Sequence, residues 1–239
     1  MNDDFSVTPA SAFATTTVAG AERVTAFLRK VYGWMAVGLG TTAVVAYAVA
    51  SSPALLQTIF GNRMVFFGLV IAELGLVFYL SARVNRMAPG TAAGLFLLYS
   101  ALNGATIAGI LLLFTGASVA TTFVVTAGMF GALALYGSTT RRSLAGVGQF
   151  VFMGLIGVVL ASLVGMFWHS DALQFAISVV GVIVFTGLTA WDAQRLKQMA
   201  VATPDGQTGS FAVVGALALY LDFINLFLFL LRFLGGRRN

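Results

Sequence analysis

The chain has 239 residues, 59% of them hydrophobic and only 9% charged, with a mean hydropathy of +0.95. So few charges cannot keep the surface of a soluble domain wet, which excludes an ordinary water-soluble enzyme or binding module and points to an integral membrane protein. The net charge of +5 comes from Lys and Arg scattered at the ends of apolar segments, a pattern of topology signals and not of a nucleic-acid face, and the absence of cysteine excludes disulfides and thiolate metal sites.

Residues 1–24 are polar, small and rich in Thr and Ala, without apolar periodicity, and are expected to form a flexible tail leading into a short amphipathic start at "RVTAFLRK". Apolar runs near the roughly 20 residues needed to cross a bilayer follow at 31–51, 63–82, 91–113, 118–137, 147–168, 173–195 and 210–234. They predict seven transmembrane helices in one all-α domain over 25–236. The connections are too short to hold a soluble domain, so any chemistry must sit inside the bundle or at its edges. The small residues of "AVASS" at 48–52 offer a cleavage-like site, but the long, partly acidic stretch before the first apolar run fits an uncleaved first helix better. The single His169, in "FWHSDA", has no second ligand nearby and is expected in an interfacial loop.

With seven spans, the tail and the connections near 83–90, 138–146 and 196–209 share one side. That side carries Arg23, Arg29, Lys30, Arg83, Arg86, Arg141, Arg142, Arg195 and Lys197, nine of the thirteen basic residues. The other side has Arg63, Arg232, Arg237 and Arg238. The positive-inside rule then sets the N-terminus in the cytoplasm and the C-terminus outside.

Three acidic residues fall well inside predicted spans: Glu73, Asp192 in "TGLTAWDAQRLKQ" and Asp222 in "LALYLDFINLF". An ionised carboxylate at such depth costs a few kcal/mol even on insertion scales, so these groups are expected to face a bundle interior, a water cavity or a partner. Asp192 and Asp222 each lie fifteen residues from Gln207, the centre of the last connection. Two helical arms would therefore place both carboxylates at one depth on neighbouring helices, where they cannot easily both ionise and would hold a proton between them. On the last span Gly215, Ala218, Asp222, Asn225, Phe229 and Arg232 recur at helical spacing, lining one stripe with room for close approach or water. The bland alternative is a pair that merely hydrogen-bonds across helices. Tyr99, Asn103 and Thr106 form a second polar stripe that would either line a pathway or bond between helices. No phosphate-binding loop or nucleophile motif occurs.

The segments "TAWDAQRLKQM" and "GALALYLDFINLFLFLLRFLG", with both aspartates at their separation, closely resemble the Bax inhibitor-1 (transmembrane Bax inhibitor motif) family, in its bacterial form. The resemblance implies six helices around a hydrophobic seventh, in the bacterial inner membrane. It further implies a pH-sensitive calcium leak gated by a dyad matching Asp192 and Asp222, and, for some members, a stress-response role or modulation of a membrane protease. An arginine ending the second span would latch the closed state; Arg83 is the better match in "SARVNR" and Arg86 the alternative. Glu73, Asn103 and Asn225 are candidate pathway residues. Two or three carboxylates supply too few oxygens for tight Ca²⁺ coordination, so Asp192 and Asp222 are expected to meet Ca²⁺ weakly or in transit, with no resident cofactor and no enzymatic role. An intramembrane aspartyl protease is the weakest alternative, since "LYLDF" lacks the GxGD context and no PAL motif follows. A regulator of a membrane protease complex, grasped through the N-terminal tail, remains a competing reading.

Overall fold

The computed structural model describes residues 9–168, 170–203, 208–236 and 238. Eight α-helices occur among them: α1 Pro9–Ala50, α2 Pro53–Phe60, α3 Arg63–Arg83, α4 Pro89–Leu112, α5 Gly116–Thr139, α6 Ala145–Phe167, α7 Asp171–Ala202 and α8 Thr208–Leu234. A 3₁₀ turn, Val84–Arg86, follows α3, and the described residues include no strand. All helices but α2 are long and apolar enough to cross a membrane, giving the seven spans the hydropathy predicts. The helical form follows from the solvent, because hydrocarbon offers no partner for a backbone amide and a helix satisfies every one internally.

Local chemistry sets the starts. Ser52, Asn62, Thr115 and Ser170 cap α2, α3, α5 and α7 by accepting from the N–H groups of Leu55, Met64, Ser118 and Leu173. Pro53 and Pro89 occupy the first turns of α2 and α4, where a missing N–H costs nothing.

Two features depart from the sequence expectation. Helix α1 begins at Pro9, so residues 9–24 are helical where the sequence reading expects a stretch without regular structure. The reason is cooperative: an Ala-rich stretch adjoining an established span needs no new nucleus and extends it turn by turn. Residues 1–8 of the expected tail, His169 and the connection around Gln207 lie outside the described residues. The second departure is α2, eight residues long, too short to register as a span although Ser52-Pro53 signals its start.

The helices pack as α1 on α4 and α8, α7 on α5, α6 and α8, and α3 on α4. Helix α8 contacts α1, α3, α4, α5 and α7 and is the most buried of the spans. Helix α8 presents Leu217, Leu219, Tyr220, Leu226 and Leu231 with no more than 2% exposure over a wide arc of its surface, while Val214, Ala218, Leu221 and Asn225 on the other face are half-buried. Gly104 lets α1 and α4 approach closely, since a side chain there would strike the backbone carbonyl of Thr42.

Hydrogen bonds gather the chain ends of the bundle. At one end Arg23 donates to the Thr203 carbonyl (2.6 Å), Lys197 to the Ser138 carbonyl (2.8 Å) and Ser210 to the Met87 carbonyl (2.6 Å). Gln194 clamps the α5–α6 connection there, accepting from the Leu144 N–H and donating to the Arg142 carbonyl, both at 2.8 Å. At the opposite end Thr115 N–H donates to the Gly236 carbonyl and Arg238 N–H to the Leu113 carbonyl, fastening the chain beyond α8 to the α4–α5 connection.

Candidate functional site: a buried carboxylate pair beside a hydroxyl network

Helices α7 and α8 carry the two aspartates, and both are buried: Asp192 is 9% and Asp222 5% exposed. The carboxyl groups are near enough for Asp192 to act electrostatically on Asp222, and Arg195, one turn further along α7, acts likewise on Asp192. The two aspartates, expected level on neighbouring helices, thus lie within electrostatic reach of each other on packed helices. Gly215, two turns above Asp222, lies against the Leu196 side chain, where a Cβ would collide; the small residue is used for close approach of α7 and α8.

The hydrogen bonds separate the three intramembrane carboxylates into two kinds. Glu73 on α3 is fully engaged: Oε2 accepts from Asn103 Nδ2 (3.2 Å) and Oε1 from Thr106 Oγ1 (2.9 Å), both on α4. Asp222 is not, because its Oδ2 is buried and has no hydrogen-bond partner among the described residues. A buried oxygen left unpaired costs roughly 1–3 kcal/mol, more if charged, and such an atom calls for an explanation. A carboxylate acting as interhelical glue would use both oxygens, as Glu73 does. Asp222 keeps one open beside a second carboxyl group, an arrangement suited to holding a proton or receiving a cation.

Asn103 and Thr106 of the second polar stripe thus bond between helices, and the same network runs on. Tyr220 OH on α8 donates to Asn103 Oδ1 (3.0 Å) and lies 2.6 Å from Thr42 Oγ1 on α1, which also reaches the Ser100 carbonyl at 2.9 Å. Two hydroxyl hydrogens serve three contacts here, and either oxygen could donate across the one between Thr42 and Tyr220. Tyr99 and Phe96 pack edge-on against the Tyr220 ring. Thr42, Ser100 and Tyr220 escape a reading by charge alone. Tyr220 leaves one sequence trace, a polar group in an otherwise apolar span, two residues before Asp222.

The remaining predicted residues have surroundings of their own. Asn225 donates to the Leu221 carbonyl of its own helix (2.8 Å) and borders a cavity of about 510 Å³ with Gln174, Phe229 and Arg232. Arg83 and Arg86 are exposed and share a small cleft with Tyr79 and Thr91 at the end of α3. Among the described residues no three His, Cys, Asp or Glu side chains gather as a metal site. What the pair offers a cation is two carboxylates and no closed cage.

Comparison with known proteins agrees with this architecture. The family model described as "Inhibitor of apoptosis-promoting Bax1" matches residues 24–239. The inner membrane protein YbhL of Escherichia coli K12 is 52% identical over 215 residues, which cover 89% of this chain and 92% of that protein. A protein of Borreliella burgdorferi is 46% identical over 215 residues (89% and 93%), and one of Caulobacter vibrioides 43% over 224 (89% of each). With a match of this extent and seven apolar spans, the chain is a multi-pass inner membrane protein and belongs to the Bax inhibitor family.

Proposed function

We propose that the protein is a pH-sensitive calcium leak gated by Asp192 and Asp222. The observation that carries this reading is the unpaired, buried Oδ2 of Asp222 next to a second carboxyl group. In the closed state the pair holds a proton, and α8, packed on nearly all sides, plugs the bundle. A change in the proton count alters the charge buried between α7 and α8 and shifts the balance between two packings. Anionic oxygens then attract a hard divalent cation, and with only two of them it passes or binds weakly. Arg83, with Arg86 as the alternative, would latch the closed state from the end of α3. The excess of Arg and Lys at the Arg23, Arg142 and Lys197 end sets that end in the cytoplasm and the α8 C-terminus outside.

Purified protein in liposomes loaded with a calcium dye tests the reading. Across a pH series wild type should admit Ca²⁺ in a pH-dependent manner, and Asp192→Asn or Asp222→Asn should flatten the dependence. Flux no greater than that of empty liposomes at every pH would sink it.

A further inference from the structure

At the end of the bundle opposite Arg23 and Lys197, a groove of about 850 Å³ opens between α2, α3 and α4. That volume falls within the roughly 300–1,000 Å³ of typical small-molecule sites. Its walls are Leu56 and Phe60 of α2, Phe66 of α3, Ile110 of α4 and Leu113 just beyond its end. The flank around it is exposed and apolar, with Met64 at 87% and Leu113 at 61%, as befits a surface turned to hydrocarbon. Hydrophobic walls alone would accept any acyl chain. The rim is different: Arg63 and Gln57 border it. Arg63 is exposed, stands in the first turn of α3 and has no carboxylate partner among the described residues. A guanidinium, an amide and a helix N-terminus together form a cationic, donor-rich mouth above an apolar slot.

We propose that this groove binds an anionic glycerophospholipid, with the phosphate at Arg63 and Gln57 and an acyl chain descending along α4 toward Gly109 and Thr106. The charge decides the class of occupant, because a zwitterionic lipid brings its own cation to the mouth and gains less from Arg63. The site is separate from the carboxylate pair and does not depend on ion flux. Its floor nevertheless touches the polar network, since Thr106 lines the groove and donates to Glu73.

The test is native mass spectrometry of purified protein, in mild detergent, equilibrated with equimolar phosphatidylglycerol and phosphatidylcholine of matched chains. Wild type should retain phosphatidylglycerol severalfold over phosphatidylcholine. Arg63→Gln should abolish the preference while some lipid of both kinds stays bound. Leu56→Trp, which fills the slot, should lower retention of both. Arg238→Gln, removing another exposed cation at the same end, should leave the preference intact. No preference in wild type, an undiminished preference in Arg63→Gln, or an equal loss in Arg238→Gln would overturn the proposal. Arg63 is exposed on the rim, so its variant is expected to fold, and size-exclusion elution identical to wild type checks this.

Discussion

The hydroxyl oxygens of Thr42 and Tyr220 lie 2.6 Å apart, joining α1 to α8 in the middle of the bundle. Through Tyr220 the contact extends to Asn103 and from there to Glu73, so four helices share one buried polar chain. Tyr220 stands two residues before Asp222, and any rotation or slide of α8 that rearranges the aspartate pair must also break this contact.

Removing the phenol hydroxyl should therefore weaken the fold as well as the network. Tyr220→Phe is expected to cost about 0.6–1.7 kcal/mol, the range for interhelical hydrogen bonds in membrane proteins. Thermal unfolding in detergent measures it. In a double-mutant cycle with Thr42→Val the two losses should be strongly non-additive; simple additivity would show that the two hydroxyls do not depend on each other.

Asp222 should behave in the opposite way. Its Oδ2 makes no hydrogen bond to be lost, so Asp222→Asn, which keeps the shape and removes the possibility of charge, is expected to leave the unfolding temperature equal to or above wild type at neutral pH. A loss of more than about 1 kcal/mol would mean that the carboxylate is structural glue after all.

Glu73 is predicted to be a structural carboxylate, with both oxygens occupied. Glu73→Leu leaves the Asn103 amide without its buried acceptor, while the Thr106 hydroxyl can still donate to the Asn103 carbonyl (3.0 Å), and should cost about 1–3 kcal/mol, whereas Glu73→Gln retains one acceptor and should cost less. Equal unfolding temperatures for the two variants would contradict this assignment.

Gln194 fixes the connection between α5 and α6 by bonding to Leu144 N–H and the Arg142 carbonyl. In Gln194→Ala, hydrogen exchange at the Leu144 amide should accelerate clearly while amides in the middle of α8 exchange as in wild type. Unchanged exchange at Leu144 would show that the clamp does not hold the connection.

Much of the architecture was legible in the sequence. Span 63–82 is α3 to within a residue, and span 210–234 is α8 to within two at its start. Runs of apolar residues have one stable form in hydrocarbon, so length and hydropathy suffice to place them. The spacing of Asp192 and Asp222 about the hairpin accords with their electrostatic reach of each other, because antiparallel helices of equal rise bring equally spaced residues level. The extension of α1 back to Pro9 was missed since Ala- and Thr-rich segments read as unstructured in isolation, and helix continuation depends on the span that follows.

By itself, then, the sequence determined the membrane class, the seven spans, their order and the residues able to carry charge inside them. Tertiary structure alone decided which span is most buried, which polar groups meet and which stay unpaired. The physical reason is that lipid tails and a protein core are equally apolar, so hydropathy cannot tell a lipid-facing side from a packed one. Asp222 and Glu73 look alike as buried acids in a string of letters. Only the rotation of each helix about its axis, fixed by packing such as that of Gly104 on Thr42 and Gly215 on Leu196, gives Glu73 two donors and leaves Asp222 Oδ2 with none.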